Sequence, residues 1–295
     1  MGLRDRVLDQ VAGLFGGPVR VVDTLVDHHE RCVLEVALPD GRPAIAKAVL
    51  ERRRADAEAA VLCAARRAGV AVPALLARAP GPPAVLVLER IEGGWLSPDR
   101  PARAWAATGA TIRRLHEVEV PGLGGFAGRH GWPAGLAAMA DHWGRRSRAA
   151  GLEGRVVDAV PAAVEGLVRS RAESWSAPPG GVTLHGDCVP IHVRLNDAHE
   201  VVGLLDLGDA RRGDPTWDLA VLTMRSPERL PAVLDGYGAN AELRAWMDRS
   251  RPVYRALRLL AEVGWLAEHG FDPTEAVQQA TAATAALKGA ERPRQ

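Results

Sequence analysis

The chain has 295 residues, 47% of them hydrophobic and 25% charged, which is enough for one large two-lobed domain or about two ordinary ones around a buried core. Its 37 Lys and Arg balance 36 Asp and Glu, so no general attraction to nucleic acid or anionic lipid is implied, and partners must be read from sites. Cys32, Cys63 and Cys188 are too few and too scattered for a disulfide framework or a paired-cysteine zinc site. A reducing, cytoplasmic setting is expected, with the protein neither secreted nor embedded in a membrane, because no signal-peptide core or membrane-length apolar run occurs.

Val7, Leu8, Val11 and Leu14 recur at helical spacing, which predicts an amphipathic opening helix ended by Gly16-Gly17-Pro18. Residues 19–22, 31–38 and 44–49 read as strands, and Asp40-Gly41 between the last two is a hairpin turn, so an antiparallel sheet is expected. Lys47 lies among apolar strand neighbours. An unpaired ammonium there is costly to bury, so the side chain either reaches water from a sheet edge or meets an anion. The helix-forming stretch that follows, residues 52–62, offers Glu58 and, less favourably placed, Asp56. A loop and strand at residues 70–73 and a strongly apolar strand at residues 84–94, ending in Gly93-Gly94, complete the sheet.

From there the periodicity turns helical. Trp105, Thr108, Ile112 and Leu115 mark a helix over residues 103–116, with His116 packed at its end, and residues 132–148 and 152–175 form two more, separated at Gly151. Trp132, Trp143 and Trp175 either line an acceptor pocket or fill the core. Helices are also predicted over residues 230–237, 241–265 and 274–287, with a frayed tail. Strands gather before residue 92 and helices after it, the pattern of an α+β protein with a small sheet lobe, residues 1–91, and a larger helical lobe, residues 92–295.

The stretch between Leu184 and Leu219 carries the chemistry. Asp187 lies on a His185-Gly186-Asp187 turn, and Asp206 ends the buried run Val201-Val202-Gly203-Leu204-Leu205. Val193-Arg194-Leu195 and Asn196-Asp197 form the first strand and the turn of a hairpin between them. Two lone carboxylates on two turns suit phosphoryl transfer, in which one orients a substrate hydroxyl and another holds a magnesium ion against nucleotide phosphates. Taken singly, such acids more often cap turns or helix starts, and Asp209, Asp214 and Asp218 are read that way, tying the segment to the helix that follows.

His185-Gly186-Asp187, His192 five residues on, Leu205-Asp206, Gly213-Asp214-Pro215 and Trp217-Asp218-Leu219-Ala220 together resemble the signature of the aminoglycoside phosphotransferase family. The resemblance implies an α+β, protein kinase-like fold with the nucleotide between the lobes, ATP or GTP as donor, Mg2+ as cofactor, and a small-molecule acceptor, an antibiotic foremost. It implies Asp187 as the catalytic base and Asp206 as a metal ligand. His192 stands where the family usually has a metal-binding Asn, a substitution similar to the macrolide branch. The resemblance also implies Lys47 held by Glu58 against the phosphates and a hinge around Leu88, Glu89 and Ile91 contacting the base. The loop of residues 25–30 would cover the phosphates, although it contains no glycine, and its His28-His29 pair reads as a polar turn. No nucleic acid or membrane partner is implied, and the protein is expected as a monomer or homodimer.

Rival readings are a choline-, homoserine- or sugar-type metabolic kinase and a pseudokinase that binds without turnover. Outside this fold, a metal hydrolase built on His185, Asp187 and His192 would leave Lys47 and Glu58 unused. A thiol hydrolase using Cys188 lacks a nucleophile elbow.

Overall fold

The computed structural model describes residues 2–28, 31–128, 131–174 and 181–290. His29, Glu30, Trp175 and most of the predicted frayed tail lie outside the described residues. The chain divides into two compact units, the first comprising Met1–Pro121 with Pro190–Ala210, the second Gly122–Val189 with Arg211–Gln295.

In the first unit, helix α1 (Leu3–Phe15) precedes strands β1 (Arg20–His28), β2 (Arg31–Ala37) and β3 (Pro43–Val49), helix α2 (Arg52–Arg67), and strands β4 (Leu75–Ala79) and β5 (Ala84–Glu89). The strands form an antiparallel sheet in the order β1-β2-β3-β5-β4. Side chains alternate between the two faces of a strand, and the sequence uses both faces. Leu34, Val36, Ala44, Ala46, Ala48, Val85 and Val87 bury one face against Val7 and Val11 of α1. On the other face Val33 and Leu86 flank Lys47 across the ladder, and α2 packs there with Glu58 only 1% exposed.

Two elements differ from the sequence expectation. Strand β1 continues to His28, so most of the anticipated residue 25–30 loop is ladder, paired at Asp27 with Cys32 and at His28 with Arg31. Strand β4 occupies Leu75–Ala79, whereas residues 70–73 are coil. Leu75-Leu76-Ala77-Arg78-Ala79 has no strand-like alternation, and it becomes a strand because the edge of β5 offers it hydrogen bonds.

A second, three-stranded sheet completes the unit. It is formed by β6 (Gly94–Trp95), β8 (Val193–Leu195) and β9 (Val201–Leu204), with helix α3 (Ala102–His116) packed on β9 and ending in a buried His116. The predicted hairpin is present, Val193 opposite Leu204 and Leu195 opposite Val201. It is tied down by Leu204 N–H to Ala71 O at 2.8 Å and Leu205 N–H to His192 O at 2.8 Å.

The second unit is helical. Helices α4 (Trp132–Ala149), α5 (Gly154–Ser174), α6 (Thr216–Leu222), α7 (Leu230–Tyr237), α8 (Ala241–Glu268) and α9 (Thr274–Ala290) accompany a two-stranded ladder of β7 (Val182–Leu184) and β10 (Arg211–Gly213). Helix α8 is its axis, touching α4, α5, α6 and α9. Trp132 and Trp143 are core residues, Trp143 stacked on Trp217 with ring centroids 5.8 Å apart. The buried Asp214 accepts hydrogen bonds from Thr216 N–H, Thr216 Oγ1, Trp246 Nε1 and Tyr254 OH at 2.6–2.9 Å. An acid so placed satisfies donors from α6 and α8 at once, as expected of a structural aspartate. Among the described residues no helix is long and apolar enough to cross a membrane.

Candidate active site

Lys47 resolves its own ambiguity. Register places it on the α2 face of the sheet, only 8% exposed. There its Nζ donates to Glu58 Oε1 at 2.8 Å, to Glu58 Oε2 at 2.9 Å and to Asp206 Oδ1 at 2.7 Å. Burial disfavours the ammonium, yet Asp206 and Glu58 outweigh it and hold Lys47 above its ordinary value. Burial pushes Glu58 up, against the pull of Lys47. Asp56, the alternative anion, pairs instead with Arg78 and Arg52.

Asp206 follows β9 with φ +60°, a left-handed conformation unusual outside glycine. The turn aims its carboxylate at the cations. Oδ1 meets Lys47, Oδ2 meets Arg31 of β2, and His192 Nε2 lies 3.8 Å from Oδ2. Burial alone would raise this carboxyl; Lys47, Arg31 and His192 together hold it well below the usual range. The backbone that carries it also has no room to spare, since a Cβ on Gly208 would stand 3.1 Å from Lys47 Nζ and 3.2 Å from Glu58 Oε2. Asp209 pairs with Arg54 of α2 at 2.7 Å.

The hinge candidates lie on and just beyond β5 in the same unit. Leu88 is buried opposite Ile45 and Leu75. Glu89 accepts from Ala74 N–H and Arg66 through Oε2 and donates its own N–H to Ala74 O. Ile91 packs where Gly203 leaves space, an added Cβ there falling 3.0 Å from its Cγ2.

In the second unit the His185-Gly186-Asp187 turn is fixed mainly through its backbone. Asp218 receives His185 N–H on Oδ2 at 2.7 Å and Gly186 N–H on Oδ1 at 3.0 Å. Gly186 O accepts from Arg211 Nη2 at 2.8 Å and Trp217 Nε1 at 2.9 Å. With φ +87° at Gly186, the middle of the turn is a position that glycine alone occupies without strain. This bracing leaves the Asp187 carboxylate 29% exposed, with Arg258 of α8 donating to Oδ1 at 3.1 Å. Cys188 is fully buried and its thiol is pushed well up by that burial and then by Asp218 and Asp187, which removes the thiol-hydrolase reading. Among the described residues no group of three or more His, Cys, Asp and Glu is clustered as a metal-ligand set.

Sequence reasoning missed Arg31, Gly208 and Arg258. Arg31 was discoverable only through register, because strand alternation puts it on the face of Val33, which pairs with Lys47. Gly208 and Arg258 gave no local signal, since each acquires its role from contacts distant in sequence.

A model of the phosphotransferase enzyme family matches residues 40–260, well over half of the chain. Among solved structures the chain is similar to a candidate fructosamine-3-kinase from Thermobifida fusca, at 24% identity over 95% of this chain and 98% of that one, TM-score 0.70. It is also similar to aminoglycoside phosphotransferase APH(3'')-Id from Streptomyces rimosus, at 19% identity over 88% and 99%, TM-score 0.62. A third is macrolide 2'-phosphotransferase MphH from Brachybacterium faecium, at 19% identity over 99% of both chains, TM-score 0.62. No curated protein sequence matches the chain. These likenesses give the fold, an α+β protein kinase-like arrangement of antiparallel sheet and helices, and with the matched family model the conclusion is direct: this chain belongs to the phosphotransferase enzyme family.

Proposed function

We propose that the chain is a nucleotide-dependent O-phosphotransferase that moves the γ-phosphate of ATP or GTP to a hydroxyl of a small molecule. The observation that carries this is the convergence of Lys47, Glu58 and Asp206 from β3, α2 and the turn after β9. A buried ammonium held by two carboxylates is a ready-made phosphate contact, and the second carboxylate is kept ionised for a cation. In this reading Lys47 takes the phosphates, Glu58 keeps it oriented, and Leu88, Glu89 and Ile91 flank the base. Functionally, residues 1–91 form the nucleotide lobe and 92–295 the acceptor lobe. Solved neighbours carrying ADP with streptomycin and GDP with kanamycin support nucleotide use.

The residues present fit magnesium. One carboxylate that three cationic or imidazole groups keep ionised, supplemented by phosphate oxygens, is the hard donor set this ion prefers. Asp206 would hold it, with His192 as a second ligand or as a contact to water or a phosphate oxygen. Bound there, Mg2+ would supply charge neutralisation across the phosphates. Asp187 orients the acceptor hydroxyl and takes its proton as the oxygen–phosphorus bond forms; a loose transition state asks for little early deprotonation, so an ordinary carboxylate suffices.

Antibiotics are the first acceptors to test, given the aminoglycoside and macrolide kinases among the neighbours. The candidate fructosamine-3-kinase at 24% identity favours a sugar-derived metabolite as the second reading. Calorimetric titration with Mg·ATP and Mg·GTP, then transfer of labelled phosphate to a panel of both classes, tests the proposal. Asp187→Ala is expected to lose transfer by about 10²-fold or more while still binding nucleotide. An active Asp187→Ala enzyme would remove that residue from the mechanism.

A further inference from the structure

Helix α8 carries a line of arginines that the phosphotransferase reading leaves unexplained. Arg251, Arg255 and Arg258 recur at intervals of four and three, so all three project within roughly 60° of arc on one helical face. Arg258 touches Asp187 at 3.1 Å. Arg255 stands one turn away, about 4.5 Å along the axis, and with Arg251 it lines a cavity of about 170 Å³ whose other walls come from Ala220 of α6, from Thr223 and Met224 just after it, and from Ala283 of α9.

The charge of Arg251 and Arg255 is not offset by a paired carboxylate among the described residues. Between Asp248 and Glu262 the helix carries Arg249, Arg251, Arg255 and Arg258 against those two acids. Glu262, which continues the same face, is occupied by Arg225, and Arg225 also lies 3.7 Å from Glu275. Among the described residues Arg251 and Arg255 have no carboxylate or hydrogen-bond partner. Two cations beside a cavity, about one and two helical turns from the arginine that touches Asp187, form a surface that attracts anions and repels ammonium groups.

Resting on the phosphotransferase reading, though not on its antibiotic form, we infer that the Arg251–Arg255–Arg258 face with its adjoining cavity is the acceptor subsite, and that the acceptor bears a carboxylate or phosphate group besides its reacting hydroxyl. Arg251 and Arg255 hold the anionic group in the cavity. Arg258 bridges it to Asp187 and so sets which hydroxyl lies beside the base. A polycationic aminoglycoside would meet like charge at Arg251 and Arg255.

The test uses probes sharing one skeleton: gluconate, glucose 6-phosphate, glucose and glucosamine, with kanamycin as a polycation. Binding to the full chain saturated with Mg·ADP is measured by saturation-transfer NMR and calorimetry. The two anions are expected to bind at least about tenfold more tightly than glucose, with glucosamine and kanamycin weaker still. Arg251→Ala and Arg255→Ala are each expected to weaken anion binding by about tenfold and leave ADP affinity unchanged, whereas Arg255→Lys retains most of it. Equal or tighter binding of the cationic probes overturns the inference. So does anion preference that survives the double alanine variant, or the absence of anion binding at about 10 mM. ADP binding by the unaltered chain reports separately on the phosphotransferase reading, and carboxylate and phosphate probes distinguish the two sources of charge.

Discussion

Asp218 is the most informative single substitution in the helical unit, because one fully buried carboxylate receives two consecutive backbone N–H groups, from His185 at 2.7 Å and Gly186 at 3.0 Å. Asn is nearly isosteric but can accept on only one of the two positions. Its amide would then present N–H to N–H at the other. A hydrogen bond to a charged acceptor contributes about 1.5–3 kcal/mol, and a buried donor left unsatisfied costs about 1–3 kcal/mol. Asp218→Asn therefore destabilises by about 2–4 kcal/mol, and Asp218→Ala, which strands both donors, by about 3–6 kcal/mol. For a unit of this size the Asn variant should melt roughly 4–16 °C lower. Circular dichroism melting gives the first reading, and hydrogen exchange gives the second, because the His185 and Gly186 amides should exchange faster while amides buried in α8 keep their relative protection. An Asn variant that melts within about 1 °C of the parent, with both amides still protected, would refute the bracing role.

Three further outcomes test the first unit and the thiols. Lys47→Met leaves Glu58 and Asp206 facing each other without their shared cation and should cost about 3–5 kcal/mol in urea unfolding; adding Glu58→Gln should recover part of that loss, and strict additivity would count against a coupled pair. Gly208→Ala pushes a methyl group against Lys47 and Glu58, so a loss of about 1–3 kcal/mol in the same assay is expected, and a neutral result would mean that the cluster is looser than described. At pH 8 a thiol reagent should modify exposed Cys63 alone, because burial keeps the Cys32 and Cys188 thiols above their ordinary value and therefore protonated. All 3 should react in denaturant, and rapid native modification of Cys188 would contradict its placement.

Much of the scaffold was legible before any coordinates. The helices α3, α4, α8 and α9 announce themselves by apolar positions every three or four residues, and the β2–β3 and β8–β9 hairpins by apolar runs around Asp40-Gly41 and Asn196-Asp197. Strand β4 was not legible, because Leu75–Ala79 has no pattern of its own and takes its conformation from β5. The extension of β1 to His28 was hidden for the same reason: Asp27 and His28 look like loop residues until β2 pairs with them.

The site divides along similar lines. Asp187, Asp206 and Lys47 stand out locally as charged residues in apolar or glycine-rich settings, whereas their roles, and Glu58 as the partner of Lys47, came from the family resemblance. The preference for Glu58 over Asp56 as the partner of Lys47 was already drawn from the sequence, and the docking of α2 on the sheet supplies its physical reason: Glu58 meets Lys47 while Asp56 turns to Arg78.

What the amino-acid order determined by itself was the set of local events: which segments coil, which extend, where glycine is required, and which acids sit on turns. What the tertiary structure decided was pairing. Arg31 came to Asp206, Gly208 to the Lys47–Glu58 contact, and Arg258 to Asp187. These are encounters between residues far apart in the chain. Strand register and helix packing set them through the burial of whole faces, so no local stretch of sequence encodes them.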